Sequence, residues 1–148
     1  MNPIIDQWIE GKVPILNGVV EVSGRVHLVR PVDPPRSLPM TLQGNEPTEF
    51  ALLPAIKWTT VIPAVTVHDV ESQLVVIVGE CGWGSEGFVA VQATEEPDSL
   101  VWLAHFDFSN PFESVRLERD FIKARNNIGE EWCFARSSPW RMEIHSAS

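Results

Sequence analysis

The chain of 148 residues has no tyrosine, only two cysteines and, from Trp58 to Val115, not one lysine or arginine. Each shortage excludes something. Cys81 and Cys133 are too few for a disulfide framework in a chain long enough to bury its own core, and they read as free, partly buried thiols. No apolar run approaches the roughly 18 residues that span a bilayer, and the opening Met1-Asn2-Pro3-Ile4-Ile5-Asp6 lacks the basic and apolar stretches of a secretory signal, so the expectation is a cytoplasmic protein without a membrane partner. With a net charge of −9, the chain lacks the cationic excess that phosphate binding requires, which argues against nucleic acid as a direct partner.

What is present is ordinary globular composition, 44% hydrophobic and 21% charged, of a length that suits one domain over 1–148. The acidity is not spread evenly. Acids and bases before Trp58 and after Val115 cancel, so Asp69, Glu71, Glu80, Glu86, Glu95, Glu96, Asp98, Asp107 and Glu113 carry the whole net charge. A segment of one sign keeps a protein soluble, or it steers and binds a cationic partner.

Asn2-Pro3 ahead of Ile4, Ile5, Trp8 and Ile9, with Gly11 beyond, predicts a short N-terminal helix capped by Asn and stopped by Gly. Val20, Val22, Val26 and Leu28 then alternate with polar residues, which predicts one half-buried strand over 19–29 with a bulge at Gly24. Pro31, Pro34, Pro35 and Pro39 make the next stretch a loop, and Pro54 and Pro63 confine the extended run over 50–70 to sheet edges or strand ends. Leu74 to Val78 and Phe88 to Ala93 read as a hairpin with a wide loop over 79–87. Leu100 to Phe108 reads as a strand with Trp102, Ala104, Phe106 and Phe108 on one face. Between Ser109 and Asn127 the pattern suits either a helix started by Asn110-Pro111-Phe112-Glu113 or strands, and the alternation of Val115 and Leu117 with charges favours strands. Two further strands follow, over 131–135 and 140–145. The sum is a mainly β fold of the α+β kind: an antiparallel sheet, as a sandwich or partial barrel, with a short N-terminal helix.

No catalytic signature emerges, no cofactor is called for, and the chain reads as a non-enzyme. In Gly82-Trp83-Gly84-Ser85-Glu86-Gly87 a nucleophile elbow would need Gly at position 83, where Trp stands, and a phosphate cradle would want a lysine where Glu80 and Glu86 flank the loop. Cys81 follows Glu80, which opposes a thiolate. His105 and Asp107 share a strand face but lack the further ligands of a metal site, and Glu95, Glu96 and Asp98 lack the glycine-containing pattern of a calcium loop. Trp83 differs from the other five tryptophans because it sits between glycines in the acidic segment, the setting of an interface anchor rather than a core residue.

Two strings, Trp102 to Phe112 (WLAHFDFSNPF) and Ala124 to Phe134 (ARNNIGEEWCF), resemble those of small bacterial immunity proteins, including those of contact-dependent growth inhibition systems. The resemblance rests on 22 of the 148 residues, in stretches dominated by core-type residues. It implies an acidic, cytoplasmic, often β-rich protein that binds one toxin domain, commonly a basic nuclease, and blocks its active site or substrate path. Toxin-facing positions vary within such families, so none is carried over from the resemblance; charge placement and the setting of Trp83 give the candidate toxin-facing residues Asp69, Glu71, Glu80, Trp83, Glu86, Glu95, Glu96 and Asp98. The alternative is a small β-barrel enzyme or small-molecule-binding domain with a pocket lined by Trp102, Phe106, Cys81 and His105.

Overall fold

A computed structural model describes residues 2–147. Strand makes up 51% of the chain and helix 9%, so the fold is mainly β. Helix α1 (Pro3–Ile9) begins where the Asn2 side chain accepts hydrogen bonds from the Ile4 and Ile5 N–H groups, at 3.0 and 3.3 Å. It ends at Gly11, whose φ of +77° an L side chain resists. Ile4 and Trp8, one turn apart, form its buried stripe.

Thirteen strands follow among the described residues. Eight of them, β1 (Lys12–Pro14), β2 (Gly18–Glu21), β3 (Arg25–Leu28), β5 (Thr48–Glu49), β6 (Trp58–His68), β7 (Val75–Cys81), β8 (Gly87–Gln92) and β9 (Leu100–Phe106), form one sheet in the order β1-β6-β7-β8-β9-β2-β3-β5. This sheet curls into half a barrel. The other five, β4 (Met40–Gln43), β10 (Phe112–Leu117), β11 (Phe121–Asn126), β12 (Glu130–Ala135) and β13 (Ser138–Ser146), form a second sheet in the order β10-β11-β12-β13-β4. Every neighbouring pair is antiparallel.

The stretch from Ser109 to Asn127 folds as the β10–β11 hairpin, so alternation wins over the helix-like spacing. The single strand expected over 19–29 is instead a hairpin. Val20 faces Val26 across β2 and β3, and the chain turns at Gly24, with φ +99° and its N–H bonded to Glu21 O at 2.8 Å. A tight turn that keeps the two-residue alternation in phase looks, in one dimension, like an unbroken strand. Pro63 lies where expected, on the side of β6 that β1 leaves open, since β1 pairs only Trp58 to Thr60. A bulge between Pro63 and Val65 shifts the strand by one residue, so Val61 joins the core beneath α1 whereas Val65 joins the core between the sheets.

Those two cores explain why β8 and β9 are apolar on both faces. Trp102, Ala104 and Phe106 point between the sheets, against Ile122, Trp132, Phe134 and Ile144. Leu103, Phe88 and Ala90 point the other way, against Ile4, Trp8 and Val26. The Phe106 and Trp132 rings meet at 4.9 Å, and truncating either to Ala would destabilise by roughly 3–5 kcal/mol.

One end of the sandwich is closed by a polar lock. Arg36, in the proline-rich loop, donates from Nη1 to Glu130 Oε1 at 2.6 Å, from Nε to Val32 O at 2.8 Å and from Nη2 to Phe108 O. Its guanidinium lies over the rings of Phe108 and Trp132, at 5.6 and 5.4 Å. Glu130 also accepts from Asn126 Nδ2 and Trp132 Nε1. Several donors thus surround this buried carboxylate, the condition under which a buried ion pair is tolerated.

Candidate functional site

The connection from β7 to β8, residues 82–86, is a five-residue loop that displays one side chain and hides another. Trp83 is 73% exposed at its tip, whereas Glu86 is 3% exposed and turned inward. Glu86 Oε2 accepts the Trp83 N–H at 3.2 Å, and the Glu86 N–H donates back to Trp83 O at 3.1 Å. Its other oxygen, Oε1, sits 3.0 Å from His105 Nε2. His105 Nδ1 accepts the Leu16 N–H at 3.4 Å, which leaves the ring proton on Nε2 and makes His105 a neutral donor to the carboxylate. Burial supports that state, because desolvation holds His105 below its ordinary pKa although Glu86 acts in the opposite sense.

Neighbouring segments brace the same loop. Ser85 O accepts the Asn110 N–H at 2.8 Å, and on the other side of the cleft the Asp107 N–H donates to Asn17 Oδ1 at 2.7 Å, which fixes the end of β9 rather than the loop. Gly87 is required by this closeness: a Cβ there would stand 2.5 Å from Asn110 O and 2.6 Å from Ser109 Oγ. Between the loop and the start of the proline-rich strap lies an open cleft of about 500 Å³, lined by Pro31, Asp33, Trp83, Ser85, Glu86 and Asp107. Asp33 and Asp107 are exposed there, and no base lines the cleft.

The eight expected partner-facing residues do not share one face. Glu80, Trp83 and Glu86 lie toward the cleft end of the sheet, Glu80 half-buried on β7. Asp69, Glu71, Glu95, Glu96 and Asp98 lie in or beside the turns at the opposite end, about 20 Å away along β7. Consecutive hairpins send successive turns to opposite ends, so acids close in sequence are separated in space. Two of the eight are also not free surface carboxylates. Glu86 is buried in its pair with His105, and Asp69 bonds Ser72 and Arg136, whose combined hydrogen bonds hold its carboxyl below the ordinary range. Glu71, Glu95, Glu96 and Asp98 are exposed, with Glu95 3.6 Å from His68.

Asp33 and Asp107 are the cleft residues that sequence reasoning missed. Asp107 belongs to the base-free segment but reads as one face of a strand, and Asp33 lies outside that segment, in a loop whose only signal is its flanking prolines.

The alternative pocket does not form. Trp102 and Phe106 belong to the core between the sheets, Cys81 to the core under α1, and His105 is sealed against Glu86. Burial, with Glu86 and Glu80 nearby, pushes the Cys81 thiol up to about 12, far from a reactive thiolate. Among the described residues no three or more His, Cys, Asp or Glu side chains are placed to hold a metal ion, and no helix is long and apolar enough to cross a membrane. No protein family, curated protein or solved structure matches the chain.

Proposed function

We propose that the protein is a cytoplasmic immunity protein, a one-to-one inhibitor that docks on a cognate bacterial toxin domain whose substrate groove is cationic, as in a basic nuclease. Strands β6 to β9 and their turns contribute no lysine or arginine of their own, and Arg136, which reaches the β6–β7 turn from the turn between β12 and β13, is paired with Asp69. The observation that carries the reading is Trp83, a large apolar side chain held out at the mouth of an acid-rimmed cleft by a buried Glu86–His105 pair. Aromatic anchors with near-neutral or polar surroundings supply most of the energy at tight interfaces, and unscreened charge supplies the speed of encounter. Carboxylates on this surface would occupy the sites where the toxin holds phosphates.

Titration calorimetry against any toxin-like domain found encoded beside this protein tests the reading, run at low and at moderate salt and paired with an assay of toxin activity. The expected result is one-to-one binding that abolishes toxin activity and weakens as salt rises. Absence of binding at low salt overturns it.

A further inference from the structure

We infer that the Trp83 cleft is a receptor for one arginine side chain of a protein partner, with the indole as one wall and Asp33 and Asp107 as its acceptors. The inference rests on reading the cleft as a docking site and adds the chemistry of what enters it. Trp83 offers a π-face that is 73% exposed, and two exposed carboxylates line the same cleft with no base among them. Neither Arg30 nor Arg36, the bases that flank the strap, lines the cleft, and the Arg36 guanidinium, which bonds the carbonyls of Val32 and Phe108 beside the two acids, is buried and paired with Glu130. Glu86 also lines the cleft, but it is 3% exposed and its oxygens are engaged by Trp83 N–H and His105, so the exposed Asp33 and Asp107 are the acceptors within reach of an incoming group.

A planar guanidinium suits these walls better than an ammonium does. It can lie flat on an indole while its edge N–H groups fork to carboxylates, whereas lysine presents a compact, strongly hydrated point charge. The molecule already uses the same chemistry internally, where Arg36 lies over Phe108 and Trp132 and pairs with Glu130. The open form of the cleft decides between a side chain and a free small molecule. Small-molecule pockets enclose most of their ligand, and this cleft is too shallow to do so. Its occupant is held by the larger surface to which it is attached.

The test uses the intact protein and small probes. The Trp83 indole N–H signal in an NMR spectrum is assigned by its loss in Trp83→Phe and followed during titration with N-acetyl-arginine amide, its lysine counterpart and its uncharged citrulline counterpart. The expected result is a saturable shift with the arginine probe, at an affinity roughly fivefold or more above that of the lysine probe. The Asp33→Asn/Asp107→Asn variant should weaken it about fivefold or more, with an unchanged thermal midpoint showing that both variants fold. A shift as large with citrulline, equal affinity for lysine, or indifference to the double variant overturns the inference. The two readings fail separately: an arginine-specific shift with no toxin binding would sink the inhibitor and keep the receptor, and tight toxin binding with a silent indole would do the reverse.

Discussion

The two ends of the base-free half-sheet carry the same sign of charge and differ in how it is held. At the Trp83 end, buried pairs brace the loops from beneath: Glu86 with His105, and Arg36 with Glu130. At the far end, Glu95, Glu96 and Asp98 ride an exposed turn organised by short-range bonds among Thr94, Glu96 and Ser99. Equal charge therefore supports unequal roles. A carboxylate on an exposed rim acts through the field it adds to, whereas a side chain on a braced loop loses little entropy when a partner arrives and can set register.

The largest effect should come from removing the brace itself. Arg36→Ala leaves the buried Glu130 carboxylate without its cation and should destabilise the fold by about 3–5 kcal/mol in denaturant titration. It also releases the strap that carries Asp33, so partner affinity should fall with it. An Arg36→Ala protein of wild-type stability would show that the two ends are equally loose. Next comes Trp83→Ala, which should weaken toxin binding by about 2 kcal/mol or more through faster dissociation, while its exposure keeps the change in stability within roughly 0.5 kcal/mol. Undiminished affinity would remove the anchor from the favoured end.

The His105 brace also predicts a pH dependence whose sign follows from its lowered pKa. The unfolded chain takes up a proton near pH 6.5 while folded His105 resists it, so this contribution to stability is present above about 6.5 and is lost as pH falls. Denaturant titrations from pH 7.5 to 5 should show stability declining, and His105→Gln should flatten that decline despite lowering the absolute value. Glu86 and Asp107 are the charged groups that face this ring. An unchanged slope in the variant would place the titration elsewhere.

Periodicity made the strands legible because alternating burial is written into each of them, and the β9 pattern of Trp102, Ala104, Phe106 and Phe108 matches the inter-sheet face. The Asn2 cap and Gly11 stop were legible for the same local reason. The β2–β3 turn was hidden by its phase, and the short strand β4 by the prolines before it. For the site, Trp83 stood out because glycines on both sides leave nothing to cover it. Its companions did not. Asp33 and Asp107 meet across 74 residues of chain only once the strap is pinned by Arg36, and the inward turn of Glu86 depends on His105, which lies 19 residues away on another strand. Nothing local distinguishes a carboxylate that will be buried from one that will steer.

The smallest effect sharpens the comparison most. Changing Glu95 and Glu96 to Gln and Asp98 to Asn removes three exposed charges from the far end without touching a buried group. Exposed charge pairs contribute about 1 kcal/mol or less each, and a rim that steers without contact acts through the association rate alone. At low ionic strength the triple variant should associate with its toxin a few-fold more slowly and dissociate at the wild-type rate. Near 1 M salt, where the screening length shrinks to about 3 Å, the difference should vanish. Faster dissociation measured by surface plasmon resonance would mean that the far end touches the partner, and the distinction between a steering end and a gripping end would no longer hold.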